Sequence, residues 1–123
     1  MNHKEVARTF LRWAAAGRVA EAYDKFLTEG FKHHNAGFAA DKESLKKAME
    51  ESAREAPNKQ LDIVRVIEDG DVVAVHSHLK QADPKMPEIA VVHILRFEGD
   101  KIAEFWDVAQ PVPQQSPNAN GMF

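Results

Sequence analysis

A carboxylate stands at the end of the last apolar strand-like run of this chain. In HILRFEGDKIAEFWDVAQ, residues 93–110, two apolar runs flank Gly99-Asp100 and lead to Trp106-Asp107 and Gln110. Burying a carboxylate is costly unless something compensates it. Asp107 is therefore either solvated at a rim or held in a pocket for chemistry. Histidines at 33, 34, 76, 78 and 93 are further groups able to exchange protons near neutral pH. A pocket that gathers some of them around Asp107 would be a proton-transfer site.

His76 and His78 lie two apart in a β-rich run and share a face with Val72 and Ala74. A two-residue Asp69-Gly70 turn would add Arg65 and Ile67 to that face. It either lines a cavity, with the histidines as acid/base or binding groups, or is an exposed face that tolerates histidine. His33-His34-Asn35 offers oriented donors and acceptors, or is simply a turn, because asparagine tolerates left-handed geometry and Gly37 follows. His93, among Ile89, Val91, Val92, Ile94 and Leu95, is either a satisfied core residue or a ligand contact. Trp13, Tyr23, Phe26, Phe38, Phe105 and Trp106 are core residues by default. Some of them would line a cavity, because ligand pockets are mostly apolar.

Other chemistries find less support. Histidine pairs at 33–34 and 76/78 could supply three nitrogen ligands, but their spacing is unspecific and H-E-x-x-H is absent, so no metal site is assigned. There is no cysteine and no G-x-S-x-G for nucleophilic catalysis. P-loop and G-x-G-x-x-G motifs are absent as well.

The elements that position these residues can be read from periodicity. Val6, Phe10, Trp13 and Ala14 recur at helical spacing over 3–16, and Gly17 breaks the helix. A second helix at 18–27 carries Ala20, Tyr23 and Phe26/Leu27 and ends at Gly30. FKHHNAGF, 31–38, reads as a loop or short extended piece. Asp41 is a good N-cap for a helix at 41–56 with a stripe of Leu45, Ala48, Met49, Ser52 and Ala56, stopped by Pro57. After Pro57 the period changes to two. Four antiparallel strands follow as two hairpins: 61–67 with 72–79, and 89–97 with 102–108. With a two-residue Gly99-Asp100 loop, Asp107 shares a face with Ile94 while His93 faces the Trp106 side; a bulge would change that pairing. Helices first and strands second indicate an α+β fold with helices on one face of a curled sheet. Residues 1–110 form one domain, and the Pro- and Asn-rich 111–123 form an irregular surface tail.

The chain has 123 residues, enough for one core, with 44% apolar and 28% charged residues. No apolar run approaches the ~20 residues that span a bilayer. The polar MNHKEVARTF gives no sign of a signal peptide. Lack of cysteine fits a cytoplasmic setting. A net charge of −3 and a pI near 6.1 argue against nucleic-acid binding.

Three segments, FKHHNAGF, DVVAVHSH and RFEGDKIAEFWDVAQ, carry a family pattern. The chain resembles the SnoaL-like polyketide cyclases of the nuclear transport factor 2-like superfamily, and within them the predicted aldol-condensation enzymes. The resemblance covers nearly the whole chain. It implies a cone-shaped, cystatin-like fold: a bent antiparallel sheet on three N-terminal helices, with an internal cavity. His34 and Asn35 match the family's His-Asn, His76 and His78 its histidine strand, and Glu104, Trp106, Asp107 and Gln110 its final motif. Departures are His33 for glutamine, Ala36 for proline, His93 for an acidic residue, Phe105 for histidine, and Gly-Asp for Asp-Gly in the turn.

These readings converge on acid/base chemistry upon a small apolar or carbonyl-containing ligand, such as aldol-type cyclisation or isomerisation. Asp107 is the expected base or acid, since a carboxyl in an apolar cavity ionises less readily and suits exchange near neutral pH. His34 and Asn35 would bind or polarise the carbonyl. His76, His78 and His93 would tune or relay protons. No cofactor is expected, because a stabilised enolate needs no redox group. Alternatives are a non-catalytic ligand-binding or dimerisation module and an epoxide-hydrolase-like enzyme. Both faces of the 59–79 hairpin are partly apolar, so a homodimer through the outer sheet face is expected.

Overall fold

The computed structural model describes residues 1–123. Three helices, α1 (His3–Ala15), α2 (Val19–Phe26) and α3 (Lys42–Glu55), pack on a five-stranded sheet. The strands are β1 (Leu27–His33), β2 (Gln60–Asp69), β3 (Val72–Lys80), β4 (Ile89–Glu98) and β5 (Lys101–Pro111), in the order β1-β5-β4-β3-β2.

α1 and α3 begin on side-chain caps, whereas α2 has none. The Asn2 side chain accepts the Glu5 N–H at 2.9 Å, and Asp41 accepts the Ser44 N–H at 2.9 Å, so two N-caps satisfy otherwise orphaned donors. At the end of α1, Gly17 takes φ +88°, its N–H donates to the Ala14 carbonyl, and the Arg18 N–H donates to the Trp13 carbonyl. That paired closure needs a left-handed residue, which glycine supplies at little cost. Pro57 follows the Ala56 C-cap of α3.

Helices and strands from Pro57 onward follow the periodicity. The stretch before α3 does not. α2 stops at Phe26, and Leu27–His33 is a strand, not the end of a helix and a loop. This strand pairs in parallel with β5, so the sheet is mixed, not purely antiparallel. Only Leu27, Phe31 and His33 of β1 are buried, and the remainder is polar. Pairing with β5, rather than a local apolar alternation, makes this segment a strand.

The register of β5 contains the feature that sets the site. Glu98–Lys101 and Phe97–Ile102 pair as a tight hairpin around Gly99-Asp100, but Arg96 pairs with Glu104. Ala103 is therefore an extra residue, and both Ile102 and Ala103 are buried. From this bulge onward every β5 partner moves by one: Ile94 meets Trp106, and His93 meets Asp107. The straight-counted pairing, which separated His93 from Asp107, is thereby corrected.

The core lies between the helices and the concave sheet face. Phe10, Leu95, Phe97, Ile102 and Phe105 are almost fully buried, together with Val73 and Val75. Phe10, Tyr23, Phe31 and Phe105 form a chain of tilted and edge-on rings with centroids 6.1–6.3 Å apart. α3 differs from α1 and α2: only Leu45 within it is buried.

Candidate functional site

α3 buries little because its apolar stripe faces a cavity. Leu45, Ala48, Met49 and Ser52 form one wall of a space of about 330 Å³. Leu11, Ala14 and Ala15 of α1 add a second wall, and Leu61, Leu79, Ile89, Val91 and Ala109 form the sheet floor. The lining is mostly apolar. Its polar members are Asn35, Ser52, Lys59, His93 and Asp107. A cavity of this size lies at the lower end of those that hold small ligands.

Asp107 faces this space from β5. Its Oδ2 accepts a hydrogen bond from Asn35 Nδ2 at 2.9 Å. The orientation of that amide follows from its other bond: Asn35 Oδ1 accepts the Gly37 N–H at 2.9 Å, so the NH2 group must point to Asp107. His33, buried beneath the loop, steadies it further. One ring nitrogen, Nε2, donates to the Ala39 carbonyl at 2.7 Å, and Nδ1 accepts the Asn35 N–H at 3.2 Å. The turn at 33–37 and the presentation of the Asn35 amide to Asp107 are thus one structure.

His93 opens on the cavity beside Asp107. Burial pushes its pKa down to about 4, against the opposing pull of the Asp107 charge, so the imidazole is neutral at physiological pH. Its Nδ1 is buried and has no hydrogen-bond partner in the protein. The ring packs 5.3 Å from that of Phe105.

The other histidines are not gathered here. His34 is corrected to the outer sheet face: it follows inward-facing His33 by one residue, and alternation turns it out. There it stacks on Trp106 at 4.8 Å and donates to Glu104 at 2.6 Å. Arg96 also donates to Glu104, at 3.0 Å, and these two donors hold the Glu104 carboxyl below the usual range. His76 and His78 also lie on the outer face, while Val73, Val75 and Ser77 point inward. Their rings stack on Phe123 of the C-terminal tail, at 5.5 Å and 4.2 Å. His76 accepts from Arg65, its cross-strand partner, and His78 donates to Glu88 at 2.7 Å. No three or more His, Cys, Asp or Glu side chains cluster to hold a metal ion.

Of the aromatic residues, Phe38 lines the cavity and is about half exposed. Tyr23 stands behind the wall, its hydroxyl donating to the sulfur of cavity-lining Met49 at 3.7 Å. Burial raises its pKa and keeps the phenol protonated. Trp13 packs on Phe26, with the Arg18 guanidinium over its ring at 3.9 Å, and does not line the cavity. Phe105 is core, and Trp106 lies on the outer face with His34. Lys59 and Ser52 also line the cavity, and neither residue type nor motif marks them. A signal was available for Lys59: it shares parity with Leu61, so extending the alternation of β2 back by one step turns it inward.

The comparisons with known proteins agree with this architecture. The family model of the SnoaL-like domain matches residues 7–105, most of the chain. The chain belongs to the SnoaL-like domain family. No functionally curated protein matches it. Among solved structures, the domain resembles a provisionally assigned polyketide cyclase from Bacillus cereus, with 23% identity over 85% of this chain and 72% of that one, at a TM-score of 0.73. It resembles wild-type IdmH, a provisionally assigned polyketide cyclase from Streptomyces antibioticus, with 13% identity over 89% and 93% and a TM-score of 0.71. An uncharacterised cystatin-fold protein from Novosphingobium aromaticivorans shares 20% identity over 88% and 98%, at a TM-score of 0.72. At these identities the likeness shows the cystatin-like, nuclear transport factor 2-like fold of this SnoaL-like domain.

Proposed function

We propose that the cavity binds a small, largely apolar carbonyl compound and that Asp107 performs acid/base chemistry on it, in an aldol-type cyclisation or an isomerisation. The observation that carries this reading is a carboxylate on the wall of an apolar cavity of about 330 Å³, held at 2.9 Å by an amide. The amide positions the carboxylate without giving it a proton. Oδ1, which accepts no hydrogen bond within the protein, is left to take a proton from the carbon next to a carbonyl. The resulting enolate oxygen needs a donor. His93 supports that role, because a neutral imidazole offers one N–H without competing for the proton Asp107 takes. In an aldol-type closure the enolate carbon attacks a second carbonyl, and the new alkoxide recovers the proton from Asp107. Proton transfer and carbon–carbon bond formation leave the oxidation level unchanged, so the scheme calls on no redox cofactor.

The test is Asp107→Asn. Turnover should fall at least ~100-fold, the scale of a lost general base, with the melting temperature nearly unchanged. Full turnover in this variant would remove Asp107 from the mechanism. A second reading, a binding pocket without catalysis, is favoured by one observation: the group that hydrogen-bonds Asp107 is an amide, which acts as neither acid nor base near neutral pH. A ligand that binds equally well to both forms and is changed by neither would establish it.

A further inference from the structure

The cavity has a second polar pole that the proton-transfer scheme does not use. Lys59 precedes β2, at the sheet edge opposite the β1/β5 side. Its Nζ donates to the Ser52 carbonyl at 3.1 Å and to Ser52 Oγ at 2.6 Å, which leaves one N–H without a protein partner. Both acceptors are neutral, and no carboxylate lies within ion-pair distance of Nζ. Burial alone lowers its pKa, as expected for a cation with no counter-charge in its surroundings. A half-buried ammonium facing an apolar space is stabilised by an anion that enters with the ligand.

The sheet order places β4 and β3 between Asp107 and the β2 edge. Three strand spacings correspond to roughly 14 Å, shortened by the curl of the sheet. The floor between the two poles is Val91, Leu79 and Leu61. We propose that Lys59 is an anion anchor, and that the cavity takes an elongated acid with an apolar middle, its carboxylate at Lys59 and its reacting carbonyl at Asp107. This rests on the reading of the cavity as a carbonyl-compound site and adds the far end of the ligand to it. The competing account is structural: Lys59 closes the C-terminal turn of α3 through Ser52, and the charge has no ligand.

The experiment compares decanoate with decanol, equal in chain length and different in charge, by calorimetric titration of the full chain at neutral pH. Decanoate should bind at least about tenfold more tightly, the scale of a charge-assisted hydrogen bond. Lys59→Gln retains a donor for Ser52 and removes the charge; it should abolish the preference by weakening decanoate alone. Lys59→Arg should retain it. Equal binding of both probes, or a preference that survives in Lys59→Gln, would overturn the anchor and leave the carbonyl reading standing. Binding of neither probe would overturn the anchor together with the cavity as an amphiphile site.

Discussion

At the scale of single residues, His93 couples the site to stability. Its folded pKa of about 4 lies below the ordinary 6.5 of the unfolded chain. Between those values the unfolded state binds a proton that the folded state does not, so stability falls as pH drops from 6.5 toward 4 and is unaffected by this group above that window. At about 1.4 kcal/mol per pH unit, the loss amounts to about 3 kcal/mol. Urea unfolding of the wild type and His93→Leu should therefore give curves that converge or cross as pH falls through this window, because the variant lacks the proton-linked loss. Parallel curves would show that His93 is not held neutral. The place of Asp107 on the cavity wall was legible because a carboxylate ending an apolar run has few structural explanations. Lys59 was marked only by its parity with Leu61, because it sits in a polar connection after Pro57, where lysine is ordinary. The outward turn of His34 depends on the strand identity of Leu27–His33, which that segment's own composition does not disclose.

At the scale of elements, the period change at Pro57 and the cap at Asp41 carry most of the fold. What they do not carry is the one-residue bulge at Ala103. Ile102 and Ala103 are both apolar and both buried, so neither alternation nor composition marks which is extra. That single residue decides whether Asp107 and His93 share a face. The stripe of α3 is the converse case. It reads as an ordinary core stripe, yet Ala48 and Met49 face open space. Filling that space should cost little: Ala48→Leu is expected to leave the melting temperature unchanged or raised by a few degrees, and to weaken decanoate binding at least about tenfold. A destabilisation of about 1–3 kcal/mol, the usual result of overpacking, would mean that α3 already packs tightly on protein.

At the scale of the whole molecule, the outer sheet face is the unexplained surface. Ile67 and Val108 are 60% and 66% exposed there, near the stacked pairs of His34 with Trp106 and of His76 and His78 with Phe123. A second copy covering this face is the expected arrangement. Light scattering at micromolar concentration should give twice the 13.8 kDa chain mass, and Val108→Asp should return it to one. A single-chain mass for the wild type would contradict the arrangement. No helix is long and apolar enough to cross a membrane.

The central claim is that Asp107 removes a proton from a carbon beside a carbonyl, and that step can be followed without knowing the natural product. Ketones and diketones that bind the cavity are incubated with the protein in deuterated water, and loss of the α-proton signal is followed by NMR. The account predicts exchange well above the buffer rate with the wild type, and at least ~100-fold slower exchange with Asp107→Asn. Bound ketones whose α-protons exchange no faster than in buffer, or exchange equally fast with the variant, would contradict it.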